Sequence, residues 1–182
     1  MNNPAPATEN PDGVITFDDV HMGFGEGEDI LRGVSFEAKQ KETLILLGET
    51  GTGKTLLLKL AAGLLHPTHG TIKILGQDIS GMEERELLPF RSKIGFVFQE
   101  GALFDSLTVG ENVAYRLTED GVPVEEIEAR VREVLSFVEL EQTLEQLPSE
   151  LSGGMRRRVS IARALVNRPP IVLYDSPTAG LD

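Results

Sequence analysis

Eight consecutive residues, Gly48-Glu49-Thr50-Gly51-Thr52-Gly53-Lys54-Thr55, fit the spacing G-x-x-x-x-G-K-[ST]. The pattern has a mechanical reading. Glycines let the backbone curl so that successive N–H groups point inward at phosphate oxygens. A helix beginning at Lys54 adds the positive end of its dipole, and the Lys54 ammonium brings a full charge to the β- and γ-phosphates. The Thr55 hydroxyl can ligate Mg2+. A metal held there needs an acidic partner at the end of another buried strand. Ile171-Val172-Leu173-Tyr174, followed by Asp175, supplies one.

A second group, Leu151-Ser152-Gly153-Gly154-Met155, also has the chemistry of an anion site. Ser152 suits a helix N-cap, and two glycines leave backbone N–H groups unobstructed in the first turn. The plain alternative is an ordinary capped helix. Arg156-Arg157-Arg158 with Arg163 follow, spread around the helix cylinder, and partner or lobe contacts are favoured over a nucleic-acid patch. His66-Pro67-Thr68-His69 has a superficially metal-like spacing, but with Pro inside and no third ligand it reads as a solvent-facing loop. Gly23-x-Gly25-x-Gly27 lacks the dinucleotide spacing G-x-G-x-x-G and reads as a hairpin turn.

These groups need elements to hold them. Thr43 to Leu47 (TLILL) is a short, continuous apolar run, as expected of a strand buried on both faces of a sheet, and Lys54 to Leu65 reads as a helix. Strand, glycine loop and helix form the context in which the phosphate reading makes sense. Val14 to Val20 and Leu31 to Ala38 read as hairpin strands, Gly70 to Leu75 as an alternating strand, and Ile94 to Phe98 and Ile171 to Tyr174 as buried strands. Ile127, Val131, Val134, Leu135 and Val138 recur at helical steps after Pro123, with Glu125 and Glu126 complementing the dipole. A last helix spans Ser152 to Asn167, stopped by Pro169-Pro170. Strands alternating with helices predict an α/β layered fold with a largely parallel core.

Composition sets the outer limits. The chain has 182 residues, 40% hydrophobic and 25% charged, the balance of a globular domain with an added lobe. The 29 acidic against 17 basic residues give −12, which argues against a nucleic-acid surface covering the molecule. Ten acids and two arginines between Glu119 and Glu150 carry −8 of it, so the acidity belongs to one segment, read as a solvated helix face. With no Cys there is no disulfide framework and no thiol nucleophile. The apolar stretch Leu56 to Leu65 is broken by Lys59 and far short of the ~20 residues of a membrane span. Met1 to Gly13 is polar and Pro-rich, reads as a flexible tail, and lacks a basic-then-apolar leader. The expectation is a soluble, cytoplasmic chain.

In order, these motifs resemble the ATP-binding-cassette (ABC) ATPases, and the resemblance runs from Val14 to Asp182. Gly48 to Thr55 matches the Walker A loop, Leu151 to Met155 the signature motif with Met in place of the usual Gln, and Asp175 the Walker B aspartate. Phe24 matches the aromatic position that stacks on adenine, Gln99 the Q-loop glutamine, and Ala179-Gly180-Leu181-Asp182 the D-loop. The resemblance implies a P-loop NTPase core over 14–98 and 168–182, with an N-terminal antiparallel β-subdomain and an inserted helical subdomain over about 99–167. It also implies ATP and Mg2+ as ligands, with Thr55, Gln99 and Asp175 at the metal, and a head-to-tail homodimer in which each signature motif meets the nucleotide of the other subunit. The integral-membrane permease is the further partner the family implies, at the cytoplasmic face of the inner membrane.

A finer likeness joins Gln99 to Val109 and Glu111-Asn112-Val113-Ala114, together with the Met-ended signature, to the Mla/MCE lipid-transport branch. It implies phospholipid or other lipid as cargo and an MCE-domain lipid-binding protein among the partners. Two departures accompany the likeness. Ser176 stands where the family carries the glutamate that polarises the attacking water, and a hydroxyl is no general base near neutral pH. The family's next strand and switch histidine have no counterpart after Asp182, so the chain reads as truncated after the D-loop. A nucleotide-binding protein with little hydrolysis and a non-transport ABC ATPase are the alternatives.

Overall fold

The first strand, β1 (Gly13–Met22), buries Ile15 and Phe17 and then Val20 and Met22. The change of phase is a bulge at Asp18-Asp19, where Asp19 takes φ 48° and the register shifts against both neighbouring strands. The structure, a computed structural model, describes residues 13–25, 27–98 and 102–175. It contains two compact units, Met1–Arg91 and Ser92–Asp182.

In the first unit β1 pairs antiparallel with β2 (Leu31–Lys39) and with β3 (His69–Ile74), which in turn pairs with the short β4 (Gln77–Asp78). The sheet order is β2-β1-β3-β4. Phe17 and Phe36 stack across the first pair with ring centroids 4.6 Å apart. Helix α1 (Lys54–Ala61) buries Leu56, Leu60 and Ala61 and packs against β3. It stops four residues before the expected Leu65, because Gly63 adopts φ +63° and the Leu64 N–H turns back to the Lys59 carbonyl. Helix α2 (Glu84–Arg91) accommodates Pro89 and buries Leu87 and Phe90.

Thr43 to Leu47 corrects the sequence expectation. The run lies in no ladder among the described residues, and Leu44, Ile45 and Leu47 are exposed, Leu47 at 89%. Apolar composition favours a buried strand only when neighbouring strands supply hydrogen bonds and cover, and none of the described strands pairs with this run.

In the second unit β5 (Ile94–Val97) and β6 (Ile171–Tyr174) form a parallel pair, Ile94 opposite Ile171 and Val97 opposite Tyr174. Both were expected to be buried on two faces, yet β6 alternates: Ile171 and Leu173 are buried while Val172 is 44% exposed. The parallel sheet among the described residues is this pair alone. Helices α3 (Val109–Glu119), α4 (Val124–Phe137) and α5 (Gly153–Leu165) pack on one another around Val113, Leu117, Leu135, Leu140 and Val159, each buried. Each such aliphatic side chain contributes roughly 1.5–3 kcal/mol. Two 3-10 turns, Glu141–Thr143 and Pro148–Glu150, join α4 to α5. β5 runs close under α5, and a Cβ on Gly95 would meet the Ala164 carbonyl oxygen at 2.5 Å. Only glycine fits there.

Candidate functional site

The glycine loop is shaped by its own lysine. Lys54 Nζ donates to the Gly48 carbonyl at 2.7 Å and to the Glu49 carbonyl at 2.6 Å, so the ammonium lies inside the curve of the loop. Thr52 Oγ1 also donates to the Glu49 carbonyl, at 2.9 Å. Gly51 and Gly53 have φ +85° and +95°, values that side chains disfavour. Around Gly51 the Cβ direction is open, whereas at Gly53 a Cβ would lie 2.8 Å from Leu31 Cδ2 and 3.2 Å from Ile30 Cγ2. The loop therefore rests against the start of β2. Gly53 has no side chain to cap α1, and the first turn holds no acidic residue, so the helix dipole is not offset there. An exposed cradle with an ammonium at its centre and an uncapped helix start suits a polyphosphate.

The same contact ties the loop to the hairpin between β1 and β2. Ile30 N–H donates to the Met22 carbonyl at 2.8 Å and closes that hairpin, whose bend exposes Phe24 at 63% of its surface. A large apolar ring held out on a turn is available for stacking on a base.

The remaining predicted residues belong to the second unit. Asp175 follows β6 directly and is buried, with its N–H donating to the Val97 carbonyl at 2.9 Å. Thr55 and Asp175 offer oxygen donors of the kind Mg2+ takes. Among the described residues no group of three or more His, Asp or Glu could hold a metal. Gln99, Ser176 and Ala179 to Asp182 lie outside the described residues.

At Leu151 to Met155 the expected cap is present. Ser152 is extended and its Oγ accepts from the Met155 N–H at 3.2 Å. Nothing lies within 4 Å of the Cβ direction of Gly154, and only the Arg156 guanidinium, at 3.9 Å, does so at Gly153. The helix start is open. Leu151 is buried, and Met155 packs on the core of the helical unit. Arg156 Nη1 donates to the Leu151 carbonyl at 2.6 Å and fixes the turn before the helix. Arg158 reaches the Val138 carbonyl at 2.9 Å and Arg163 the Ala102 carbonyl at 2.8 Å. Arg156, Arg158 and Arg163 thus serve the lobe, through backbone carbonyls. Arg163 also lies over the Phe104 ring at 5.8 Å, and burial lowers its pKa from the ordinary guanidinium value. His66 bonds to the Ser80 carbonyl and His69 approaches Asp19, so the two do not converge.

Sequence reading missed the function of Asn112. Fully buried on α3, it accepts from the Phe104 N–H at 2.8 Å, and its Nδ2 shares two N–H donors among the Phe104, Leu107 and Thr108 carbonyls, each at 3.0 Å. One side chain therefore shapes the segment that follows Gln99. A buried polar residue inside an apolar helix face was the signal.

The family model described as ABC transporter matches residues 31–179. Among curated relatives, the methionine import ATP-binding protein MetN of Bifidobacterium longum is 41% identical over 94% of this chain and 44% of its own length. Protein TRIGALACTOSYLDIACYLGLYCEROL 3, chloroplastic, of Arabidopsis thaliana is 44% identical over 94% of this chain and 51% of its own. The lipoprotein-releasing system ATP-binding protein LolD of Bacteroides fragilis is 40% identical over 93% and 78%. The chain spans about half the length of the first two relatives. A solved structure, the dimeric post-hydrolysis state of the ATP-binding cassette MJ0796 bound to ADP and Pi, superposes with a TM-score of 0.86 at 36% identity, covering 92% of this chain and 76% of that one. With the family model spanning most of its length and the P-loop ABC ATPase fold in place, the chain belongs to the ABC transporter family, among its ATP-binding cassettes.

Proposed function

We propose that this chain is the ATP-binding subunit of an ABC transporter, binding Mg-ATP and coupling its binding and hydrolysis to transport. The observation that carries the reading is the Lys54 ammonium drawn into an open glycine loop at an uncapped helix start. Lys54 and the loop amides would hold the phosphate chain, Thr55, Asp175 and Gln99 the Mg2+, and Phe24 the adenine. When bound, Mg2+ neutralises charge on the β- and γ-phosphates. The helix start at Ser152, Gly153 and Gly154 is open but stands apart from the P-loop in sequence. Its use is as the second anion site of a head-to-tail dimer, closing on the nucleotide of the partner subunit. The solved dimeric cassette is consistent with that arrangement. In this reading 14–98 and 168–182 form the core and 99–167 the helical subdomain.

Lipid is the cargo we favour, with an integral-membrane permease and an MCE-domain lipid-binding protein as partners at the cytoplasmic face of the inner membrane. Support comes from the segment Gln99 to Ala114, the Met-ended signature and a relative named after a galactolipid. Other relatives are named for methionine and for lipoprotein. No helix among the described residues is long and apolar enough to cross a membrane. A nucleotide-binding role with little turnover is the second reading, carried by Ser176 at the general-base position, a loss typically of ~10²–10⁴-fold in rate.

The test is co-purification from membranes followed by ATP binding and turnover. The expected result is a permease in the complex and ATP binding lost by about 10- to 100-fold or more in Lys54→Ala, since charge-assisted hydrogen bonds are involved. Recovery only with ribosomes or DNA overturns the transporter reading. Ordinary transporter turnover that Ser176→Ala leaves unchanged overturns the impaired-base reading.

A further inference from the structure

The carbonyl that precedes the Ser152 cap is held by the helix it introduces. Leu151 is buried in the core of the helical unit, and its N–H donates to the Pro148 carbonyl at 3.2 Å. Its carbonyl oxygen accepts from Arg156 Nη1 at 2.6 Å. Arg156 lies one turn along α5, and its side chain reaches back toward the N-terminus, the direction in which helical side chains lean. Backbone groups close the same turn. The Arg156 N–H donates to the Ser152 carbonyl at 2.9 Å, and the Met155 N–H to Ser152 Oγ at 3.2 Å. Ser152, extended at φ −65° and ψ 162°, therefore stands between a tied carbonyl and a tied hydroxyl.

The tie bears on the anion site through one peptide plane. The Leu151 carbonyl and the Ser152 N–H share that rigid plane, so fixing the oxygen fixes the direction of the N–H. Gly153 and Gly154 follow in the first turn, where a helix offers its N–H groups no acceptor, and no acidic residue offsets them. A carbonyl oxygen swung toward this turn would set negative charge against an incoming phosphate. Arg156 Nη2 lies 3.9 Å from where a Cβ on Gly153 would stand, so the tie runs alongside the first glycine. Arg158 and Arg163 hold other carbonyls, those of Val138 and Ala102.

We propose that Arg156 is a positioning residue for the second anion site, holding the Leu151–Ser152 peptide so that the turn presents its N–H groups and the Ser152 hydroxyl proton to the polyphosphate of the partner subunit. The proposal rests on the reading of this helix start as the signature of a head-to-tail dimer. The guanidinium acts on the turn, and the turn acts on the phosphate.

Sedimentation equilibrium of the full chain at saturating Mg-ATP reads this site with the P-loop filled. One charged hydrogen bond at a partly exposed turn changes affinity about 3- to 10-fold, and a dimer uses the site twice, so Arg156→Met is expected to raise the dimer Kd about 10- to 100-fold. Methionine keeps the unbranched stem and the helix propensity and drops the donor. Arg156→Lys keeps a charged donor and is expected to recover most of the loss. The ratio of the Arg156→Met Kd to the wild-type Kd is expected to hold constant from about 0.05 to 0.5 M salt, because screening acts on a charge facing phosphate and little on a short tie to a carbonyl. A ratio that shrinks with salt assigns the charge to the phosphate and overturns the positioning role. An Arg156→Met chain that dimerises like wild type, or an Arg156→Lys chain as weak as Arg156→Met, overturns it too. Gly154→Asp separates this failure from that of the underlying reading, since its Cβ meets nothing within 4 Å and its carboxylate enters the site without a clash. A wild-type chain that Mg-ATP does not dimerise, or a dimer that Gly154→Asp leaves intact, overturns the signature reading and the role of Arg156 with it. Should Arg156→Met fail to fold, ¹⁵N spectra of the unaltered chain must show resolved, slowly exchanging Nη signals for Arg156. A freely averaging guanidinium overturns the proposal.

Discussion

Replacing Asn112 by alanine removes one accepted hydrogen bond and two amide N–H donors, shared among three carbonyls, from a side chain with no exposed surface. The loss is not shared equally. The Phe104 carbonyl also accepts from Leu107 N–H, and the Thr108 carbonyl from Asn112 N–H, and both bonds survive truncation. The Phe104 N–H and the Leu107 carbonyl bear the loss. At about 1–3 kcal/mol for each partly buried group left unpaired, and a few tenths regained from alanine's helix propensity, the expected destabilisation is about 2–4 kcal/mol. Urea unfolding followed by circular dichroism measures the whole, and chymotrypsin cleavage after Phe104 under native conditions measures the local opening. Asn112→Asp sharpens the test. It keeps the acceptor for Phe104 N–H but turns carboxylate oxygen toward three carbonyls, which raises the folded carboxyl pKa above its unfolded value. The penalty relative to wild type is therefore absent below the unfolded value, about 3.9, and grows as pH rises through the folded one. An Asn112→Ala protein with an unchanged urea midpoint and no added cleavage at Phe104 refutes the clamp.

Gly53→Ala must take φ +95° against Leu31 and Ile30, and is expected to lose about 1–3 kcal/mol in denaturant unfolding and to weaken ATP binding. Ser152→Ala removes the cap on the Met155 N–H and is expected to cost about 1 kcal/mol, a Tm drop of roughly 2–4 °C by calorimetry. A hydrogen bond from Arg91 holds the Glu84 carboxyl below the ordinary glutamate value, Arg91 and His66 adding by their charge while slight burial opposes them. Its contribution is thus present above the unfolded pKa and lost as pH falls through the lowered folded one. NMR titration of the Glu84 side chain checks this, with Arg91→Gln expected to return it to the ordinary value.

What the sequence made legible was whatever the chain carries contiguously. The glycine loop and the Ser152 cap are each complete within eight residues, so spacing alone located both. Helix α3 announces itself through the Thr108–Glu111 capping box, in which Glu111 N–H donates to Thr108 Oγ1 and Thr108 N–H to Glu111 Oε2, although its start was not read that way. Helix α2 gave a contrary signal, since Pro89 lies inside it; its first turn is secured by its own Glu86, which accepts from the Glu83 N–H. The ties made by Asn112 and Arg156 were illegible for a different reason. Their partners are backbone groups, carbonyls above all, and a side-chain pattern does not report where a carbonyl will point. TLILL failed for the converse reason: its pattern states a demand for neighbours, and patterns do not say whether the neighbours are met.

Within the first unit the phosphate cradle is held by ties of its own. Lys54 pulls in the Gly48 and Glu49 carbonyls, Thr52 Oγ1 adds a second bond to Glu49, and Gly53 is wedged against Ile30 and Leu31. In this arrangement the lysine that would bind phosphate is also the tie that keeps the loop curled. A phosphate chain drawing the ammonium inward must therefore take over the tie it loosens, through the loop's own N–H groups. Lys54→Ala accordingly removes two things at once, the cation and the curl, and the loss of binding it produces is larger than the deletion of one charge.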